Sequence, residues 1–173
     1  MTRPVLVLVG PPGSGKSTVG SRIAELLGVG FRDTDRDIEA DRGTTIAEIF
    51  IDQGEDAFRG YERNAVRRAL AEHDGVLALG GGAVMDADTR ILLGEHRVVF
   101  LDVGLTAAAK RVGFARDRPV LAASPRSILA RLLDERRPLY EEVASVTVAT
   151  DDATPIDVAR EVCAALQLET PAR

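Results

Sequence analysis

The chain has 173 residues, enough for one domain with a full core, and its 45% hydrophobic and 28% charged residues match an ordinary soluble globular protein. A net charge of −5 argues against nucleic acid or an anionic membrane as the main partner, so positive charge must be concentrated wherever an anion binds. One cysteine, Cys163, rules out an internal disulfide, and no apolar run is long enough to span a membrane, so a cytoplasmic protein is expected.

Taken in chain order, residues 5–9 (Val5, Leu6, Val7, Leu8, Val9) read as a buried strand. That run stops at Pro11-Pro12-Gly13 with no cleavage-like stretch, so it is not expected to be a signal peptide. It leads straight into Gly10-Pro11-Pro12-Gly13-Ser14-Gly15-Lys16-Ser17-Thr18, which fits G-x-x-x-x-G-K-[ST]. Glycines let backbone N–H groups turn inward around phosphate oxygens, and the next helix offers its positive end. Lys16 can reach the β- and γ-phosphates of a nucleotide, and the Ser17 hydroxyl can ligate Mg²⁺. Only Lys16 and Lys110 of the 22 basic residues are lysines, so a lysine stands where a slim point charge is wanted. After the loop, Val19, Ile23, Leu26 and Leu27 recur at helical spacing.

Further strands are expected at about 29–33, 76–79, 97–102 and 145–149, separated by helical patterns, which implies βαβ units with helices on both faces of a parallel sheet. Asp33-Thr34-Asp35 ends the second strand, beside the phosphate loop. In extended chain the two carboxylates face one side, roughly 6–7 Å apart, where one can serve Mg²⁺ and the other a substrate hydroxyl. Helix N-capping is the alternative use of these residues. Thr45-x-x-Glu48 is a capping box opening a short helix that Gly54 stops, and a longer helix runs on to about Glu72. Within it Glu62 stands three residues after Arg59, at the spacing that lets it hold the guanidinium, although a surface ion pair explains the same spacing.

Gly80, Gly81 and Gly82 follow the third strand, where they permit close backbone approach and offer N–H groups to an anion or hydroxyl. No acidic residue ends that strand, which leaves Asp33 as the metal-side carboxylate. The stretch 113–123 has no period, carries Arg116, Asp117, Arg118 and Pro119, and reads as a lid. Ser124-Pro125 and Thr154-Pro155 look like helix starts, and Pro138 should break or kink the helix that carries Arg136. His73 and His96 are single and read as surface residues, and no His or Cys cluster has metal-ligand spacing.

The phosphate loop, D-T-D, G-E-x-x-F-R-x-x-E, G-G-G-A, the R-P of the lid and R-x-P-L-Y occur in the order and spacing of the shikimate kinase family, which the chain resembles over about residues 5–160. The resemblance implies a single three-layer α/β/α domain over 1–173 with a five-stranded parallel sheet in the order 2-3-1-4-5. Substrate-binding helices at about 34–62 and a mobile lid at about 113–124 go with it. It implies transfer of the γ-phosphate of MgATP to the 3-hydroxyl of shikimate in aromatic amino-acid biosynthesis, by an enzyme expected to be a monomer. Carried over by motif, Gly13, Ser14, Gly15, Lys16, Ser17 and Thr18 hold the phosphates, with Ser17 and Asp33 around Mg²⁺. Asp35 contacts the reacting hydroxyl, while Arg59, Gly80, Gly81, Gly82 and Arg136 hold the substrate. Arg118 meets ATP from the lid, and Arg111 is a further nucleotide-side arginine. Two fork-shaped guanidiniums suit a carboxylate, and Phe50 and Phe58 can wall its ring.

Two departures from the family's pattern fall near the nucleotide: Val112 where Thr is frequent, and Ala153 where some relatives have Arg. The rival readings are a gluconate kinase of the same fold and a nucleotide-binding switch that hydrolyses ATP slowly.

Overall fold

The structure is a computed structural model describing residues 2–113 and 125–171. Its sheet has five parallel strands, β1 (Leu6–Val9), β2 (Phe31–Asp33), β3 (Val76–Ala78), β4 (Val98–Asp102) and β5 (Val146–Ala149), in the order β2-β3-β1-β4-β5. Val7 pairs with Leu77 on one side and Val98 on the other, which puts β1 at the centre. All four β1 residues are buried because both faces of the sheet are covered, as parallel strands require.

The alternation along each strand sorts the core into two layers. Leu6, Leu8, Val76, Ala78, Val99 and Leu101 face α1 (Lys16–Leu27) and α8 (Pro155–Ala165) through Val19, Ile23, Val158 and Val162. Val7, Val9, Leu77, Leu79, Val98 and Phe100 face the other way. They meet α4 (Glu55–Glu72), α5 (Ala87–Leu93) and α7 (Pro125–Val143) through Val66, Leu70, Leu93 and Tyr140. The expected three-layer α/β/α arrangement and strand order are therefore present, and Cys163 is buried in the α1–α8 layer. Among the described residues no helix is long and apolar enough to cross a membrane.

A small satellite core of Ile38, Ile49, Phe58 and Ala65 holds α2 (Thr34–Arg42) and α3 (Ile46–Gln53) against α4. The α3 start is the capping box read from the sequence: Thr45 Oγ1 accepts from Glu48 N at 3.2 Å while Thr45 N donates to Glu48 Oε2 at 3.1 Å. Such a cap is worth about 1 kcal/mol, which matters in a helix of eight residues.

Two expectations change. Pro138 does not break its helix, because α7 runs through it. A mid-helix proline costs ~3 kcal/mol, which burial of Tyr140 two residues on, with its hydrogen bond, offsets. Tyr140 is 1% exposed, stacks on Phe100 at a 5.0 Å centroid distance, and donates from Oη to Gly81 O at 2.5 Å. His73 and His96 are half-buried rather than on the surface, with the His73 Nε2 lying 3.1 Å from Val76 O.

Candidate active site

The carboxyl ends of β1, β2, β3 and β4 meet on one edge of the sheet, and the loops leaving them build the site. The β1 loop turns through Gly13 at φ 81° and Gly15 at φ 89°, both in the left-handed region that suits glycine. Gly15 is the N-cap of α1 and has no side chain to occupy that helix's positive end. Ser14 is fully buried, and Lys16 folds back over the loop, donating from Nζ to Gly10 O at 2.7 Å and Pro11 O at 3.1 Å. Thr18 is exposed in the first turn of α1. Arg111, on α6 (Leu105–Val112), reaches the loop's rim: Nη1 donates to Gly13 O at 3.0 Å and Nη2 to Thr150 O at 2.7 Å.

Asp33 divides its carboxylate between the two uses open to it in the sequence. Oδ1 accepts from Asp35 N at 2.9 Å and caps α2, whereas Oδ2 accepts from Ser17 Oγ at 2.7 Å. A hydroxyl and a carboxylate oxygen together at the end of a phosphate loop are the hard donors Mg²⁺ takes. The residues present therefore fit MgATP. Among the described residues no group of three or more His, Cys, Asp or Glu side chains is placed to hold a metal ion.

Asp35 is placed differently from expectation. The helix begins at Thr34, so Asp35 lies in the first turn of α2, and the spacing expected for extended chain does not hold. The cause is the Asp33 cap, which bends the chain out of the strand within one residue. Asp35 is still delivered to the site: a methyl on Gly80 would sit 2.5 Å from Asp35 Oδ1 and 2.8 Å from Glu62 Oε2.

Each glycine of the β3 loop makes room for a different polar side chain. Gly80 accommodates the Asp35 and Glu62 carboxylates, Gly81 would bring a methyl 3.6 Å from Arg136 Nη1, and a methyl on Gly82 would overlap the Arg59 guanidinium. One of their three N–H groups is engaged, since Gly80 N donates to Thr34 Oγ1 at 3.3 Å. Thr34, hidden in the capped turn, can reach it and closes the loop onto α2. Their carbonyls are tied as well, Gly80 O and Gly82 O to Ala83 N and Met85 N, and Gly81 O to Tyr140.

Arg59 and Glu62 form the expected pair, and it is no surface bridge. Arg59 Nη1 donates to Glu62 Oε1 at 2.7 Å with the Glu62 side chain only 4% exposed. Burial pushes the Glu62 carboxyl up from its ordinary value, with Arg59 and then Arg136 opposing that shift. Arg136 is 9% exposed, its Nε is buried without a hydrogen-bond partner, and it makes no ion pair among the described residues. A buried guanidinium in that condition suits an incoming anion. Beside the pair lies a cavity of about 170 Å³ lined by Arg59, Glu62, Arg63, Gly82, Asp86 and Thr89, among others. Phe58 is buried and Phe50 half-buried, 4.8 Å apart, so both serve the satellite core first.

Tyr140 was not singled out from the sequence. It stands one turn after Arg136 within R-x-P-L-Y, a spacing that puts both on one helix face. Burial pushes its hydroxyl up to about 12, so it remains a donor to Gly81 O at any physiological pH. Of the expected lid at 113–124, Gly113 ends α6, while residues 114–124, with Arg118 and Ser124, lie outside the described residues.

Comparison with known proteins agrees with this geometry. The family model described as shikimate kinase matches residues 12–167. A shikimate kinase of Frankia casuarinae is 59% identical over 94% of this chain and 72% of its own length, and one of Streptomyces coelicolor is 55% identical over 98% and 99%. The solved shikimate kinase of Acinetobacter baumannii, in complex with shikimate, superposes with a TM-score of 0.91 at 37% identity, covering 96% of this chain and 94% of that one. With the family model and the relatives matching over nearly the whole of it, the chain belongs to the shikimate kinase family.

Proposed function

We propose residue roles for the reaction of this family, the transfer of the γ-phosphate of MgATP to the 3-hydroxyl of shikimate, giving shikimate 3-phosphate and ADP. The observation that carries them is the buried Arg136 guanidinium, without an ion-pair partner among the described residues and close to Gly81. Arg136 and Arg59 clamp the carboxylate of the acid, with Glu62 fixing Arg59 and the Gly80–Gly82 loop giving the acid room. This binding sets the distance from the clamp to Asp35, which selects the hydroxyl that reacts.

Asp35 orients that hydroxyl and accepts its proton as oxygen attacks the γ-phosphorus. The bond from that phosphorus to the bridging oxygen breaks, and ADP departs with the electron pair. Residues 13–18 cradle the phosphates through backbone N–H groups, and the Lys16 ammonium leaves its two loop carbonyls for the transferring phosphate. Ser17 and Asp33 would hold Mg²⁺, which would supply charge neutralisation at the phosphates when bound. Arg111 borders the nucleotide, and Arg118 is assigned to ATP on the family motif alone. One domain acting as a cytoplasmic monomer, without nucleic acid or membrane, completes the reading, supported by the acidic net charge and the single shared sheet.

The test is ADP release measured with shikimate, with gluconate and with no acceptor. Release only with shikimate is expected. Equal rates in all three would mean a nucleotide switch, and preference for gluconate would mean a clamp serving another acid.

A further inference from the structure

The next residue after the clamp arginine makes a second tie to the sheet that the reaction itself does not use. Asp102 is the last residue of β4, and both its oxygens are taken by Arg137: Nη1 donates to Oδ2 at 2.9 Å and Nη2 to Oδ1 at 2.7 Å. This is the two-pronged arginine–carboxylate geometry, the strongest and most directional ion pair available to side chains. The Arg137 guanidinium also lies 5.8 Å from the centre of the Phe100 ring. Asp102 is itself a firm post, since its carbonyl accepts from Thr150 N at 2.9 Å and Thr150 Oγ1 at 3.1 Å.

The place of this pair within α7 gives it a task. Pro138 has no N–H, so the Asp134 carbonyl lacks its helical partner, and the turn that carries Arg136 is one rung short. The Arg136 Nε has no hydrogen bond of its own among the described residues. Its guanidinium lies beside the Tyr140 hydroxyl, one turn on in the same helix, so its aim depends on where the weakened turn holds both residues. Two side-chain ties flank the proline: Arg137 to the end of β4 before it, and Tyr140 to the glycine loop after it.

We propose that Arg137 and Asp102 are positioning residues for the substrate clamp, docking the proline-weakened turn of α7 on β4 so that the Arg136 guanidinium is aimed at the acid's carboxylate. The inference rests on the assignment of Arg136 as that clamp. Neither residue touches the acid, and neither has a part in the phosphoryl transfer.

Equilibrium titrations of shikimate and of MgATP test it, using the full chain with Arg137→Ala and Asp102→Asn, each alone and combined with Arg136→Ala. Either single variant should weaken shikimate binding about tenfold, a size usual for coupled neighbours, and leave MgATP affinity within about twofold. Steady-state kinetics should show KM for shikimate rising more than kcat falls. In the Arg136→Ala background the same changes should weaken shikimate less than about twofold further, since the residue they aim is gone. Arg137→Lys keeps the charge and one of the two bonds, should fold where Arg137→Ala does not, and should weaken shikimate about threefold. Unchanged shikimate affinity in Arg137→Ala, beside a real loss in Arg136→Ala, would overturn the proposal and leave the clamp standing. Equal losses for both ligands, or full additivity with Arg136→Ala, would also overturn it by making the pair a general support. No loss in Arg136→Ala alone would remove the clamp on which the proposal rests.

Discussion

At the proposed nucleotide end of the site, the assigned residues Gly13, Ser14, Gly15, Lys16, Ser17 and Thr18 are consecutive in the chain. The acceptor end draws Asp35 from α2, Arg59 and Glu62 from α4, three glycines from the β3 loop and Arg136 from α7. One end is local in sequence, and the φ angles at Gly13 and Gly15 set where its N–H groups face. The other is made of buried and half-buried charges whose partners arrive from four distant segments, so every clearance between them matters. Catalysis of phosphoryl transfer needs the first for charge stabilisation and the second for alignment.

The sharpest test of the nucleotide end is Lys16→Met. Turnover should fall by about 10³ or more, the scale for removing a charge from the transferring phosphate, with the circular dichroism spectrum unchanged. Lys16→Arg should fail as well, since the planar fork is too bulky for a loop closed around an ammonium. A Lys16→Met enzyme of normal turnover would break the division between the two ends.

The two aspartates stand on the boundary between them. Asp35→Asn should lower kcat by about 10²–10⁴ at saturating Mg²⁺, through loss of the group that takes the proton. Asp33→Asn should raise the Mg²⁺ concentration needed for half-maximal rate, because the oxygen beside Ser17 loses its charge. Superimposable Mg²⁺ titrations of the two variants would mean that the boundary does not fall between them.

At the acceptor end the glycines should differ in rank. Gly82→Ala drives a methyl into the mobile end of Arg59, so the guanidinium must shift off its place in the proposed clamp, and the shikimate KM should rise by about 10–100-fold, the scale for a misplaced binding group, with the KM for ATP unmoved. Gly81→Ala meets Pro12 Cδ at 3.3 Å and Arg136 Nη1 at 3.6 Å, so it should be the milder of the two. Equal effects on ATP would show that the ends are not separately built.

The smallest effect is read through pH. Burial raises the Glu62 carboxyl above its ordinary 4.5, so the folded state holds that proton more tightly than the unfolded state does. The resulting stabilisation is full below pH 4.5 and is lost as pH rises through the folded-state value. Glu62→Gln cannot ionise, so its thermal midpoint relative to the parent should climb as pH rises above 4.5. A flat difference would mean that Glu62 titrates as it does in the unfolded chain.

What was legible in the sequence follows the same line. The phosphate loop, the strands, the capping box at Thr45 and the Thr154-Pro155 helix start depend on neighbours in the chain, and all stand where their patterns put them. The Arg59–Glu62 pair was visible as spacing, but its burial was not, because depth is decided by α2, α3 and the glycine loop packing over it. Asp35 was misplaced through one local competition, the capping of α2 by Asp33, which won over strand extension. A break at Pro138 does not occur because its cost is local and its compensation, Tyr140 against Phe100 and Gly81, comes from β4 and the β3 loop.

Cys163 gives this molecule a built-in clock for opening. It is the only thiol in the chain, 4% exposed in the α1–α8 layer, and burial pushes its pKa up. A thiolate-directed reagent near neutral pH therefore meets it only when α8 lifts from the sheet. The rate of that labelling, followed with and without bound nucleotide, measures how firmly a ligand on one edge of the sheet closes the layer behind it.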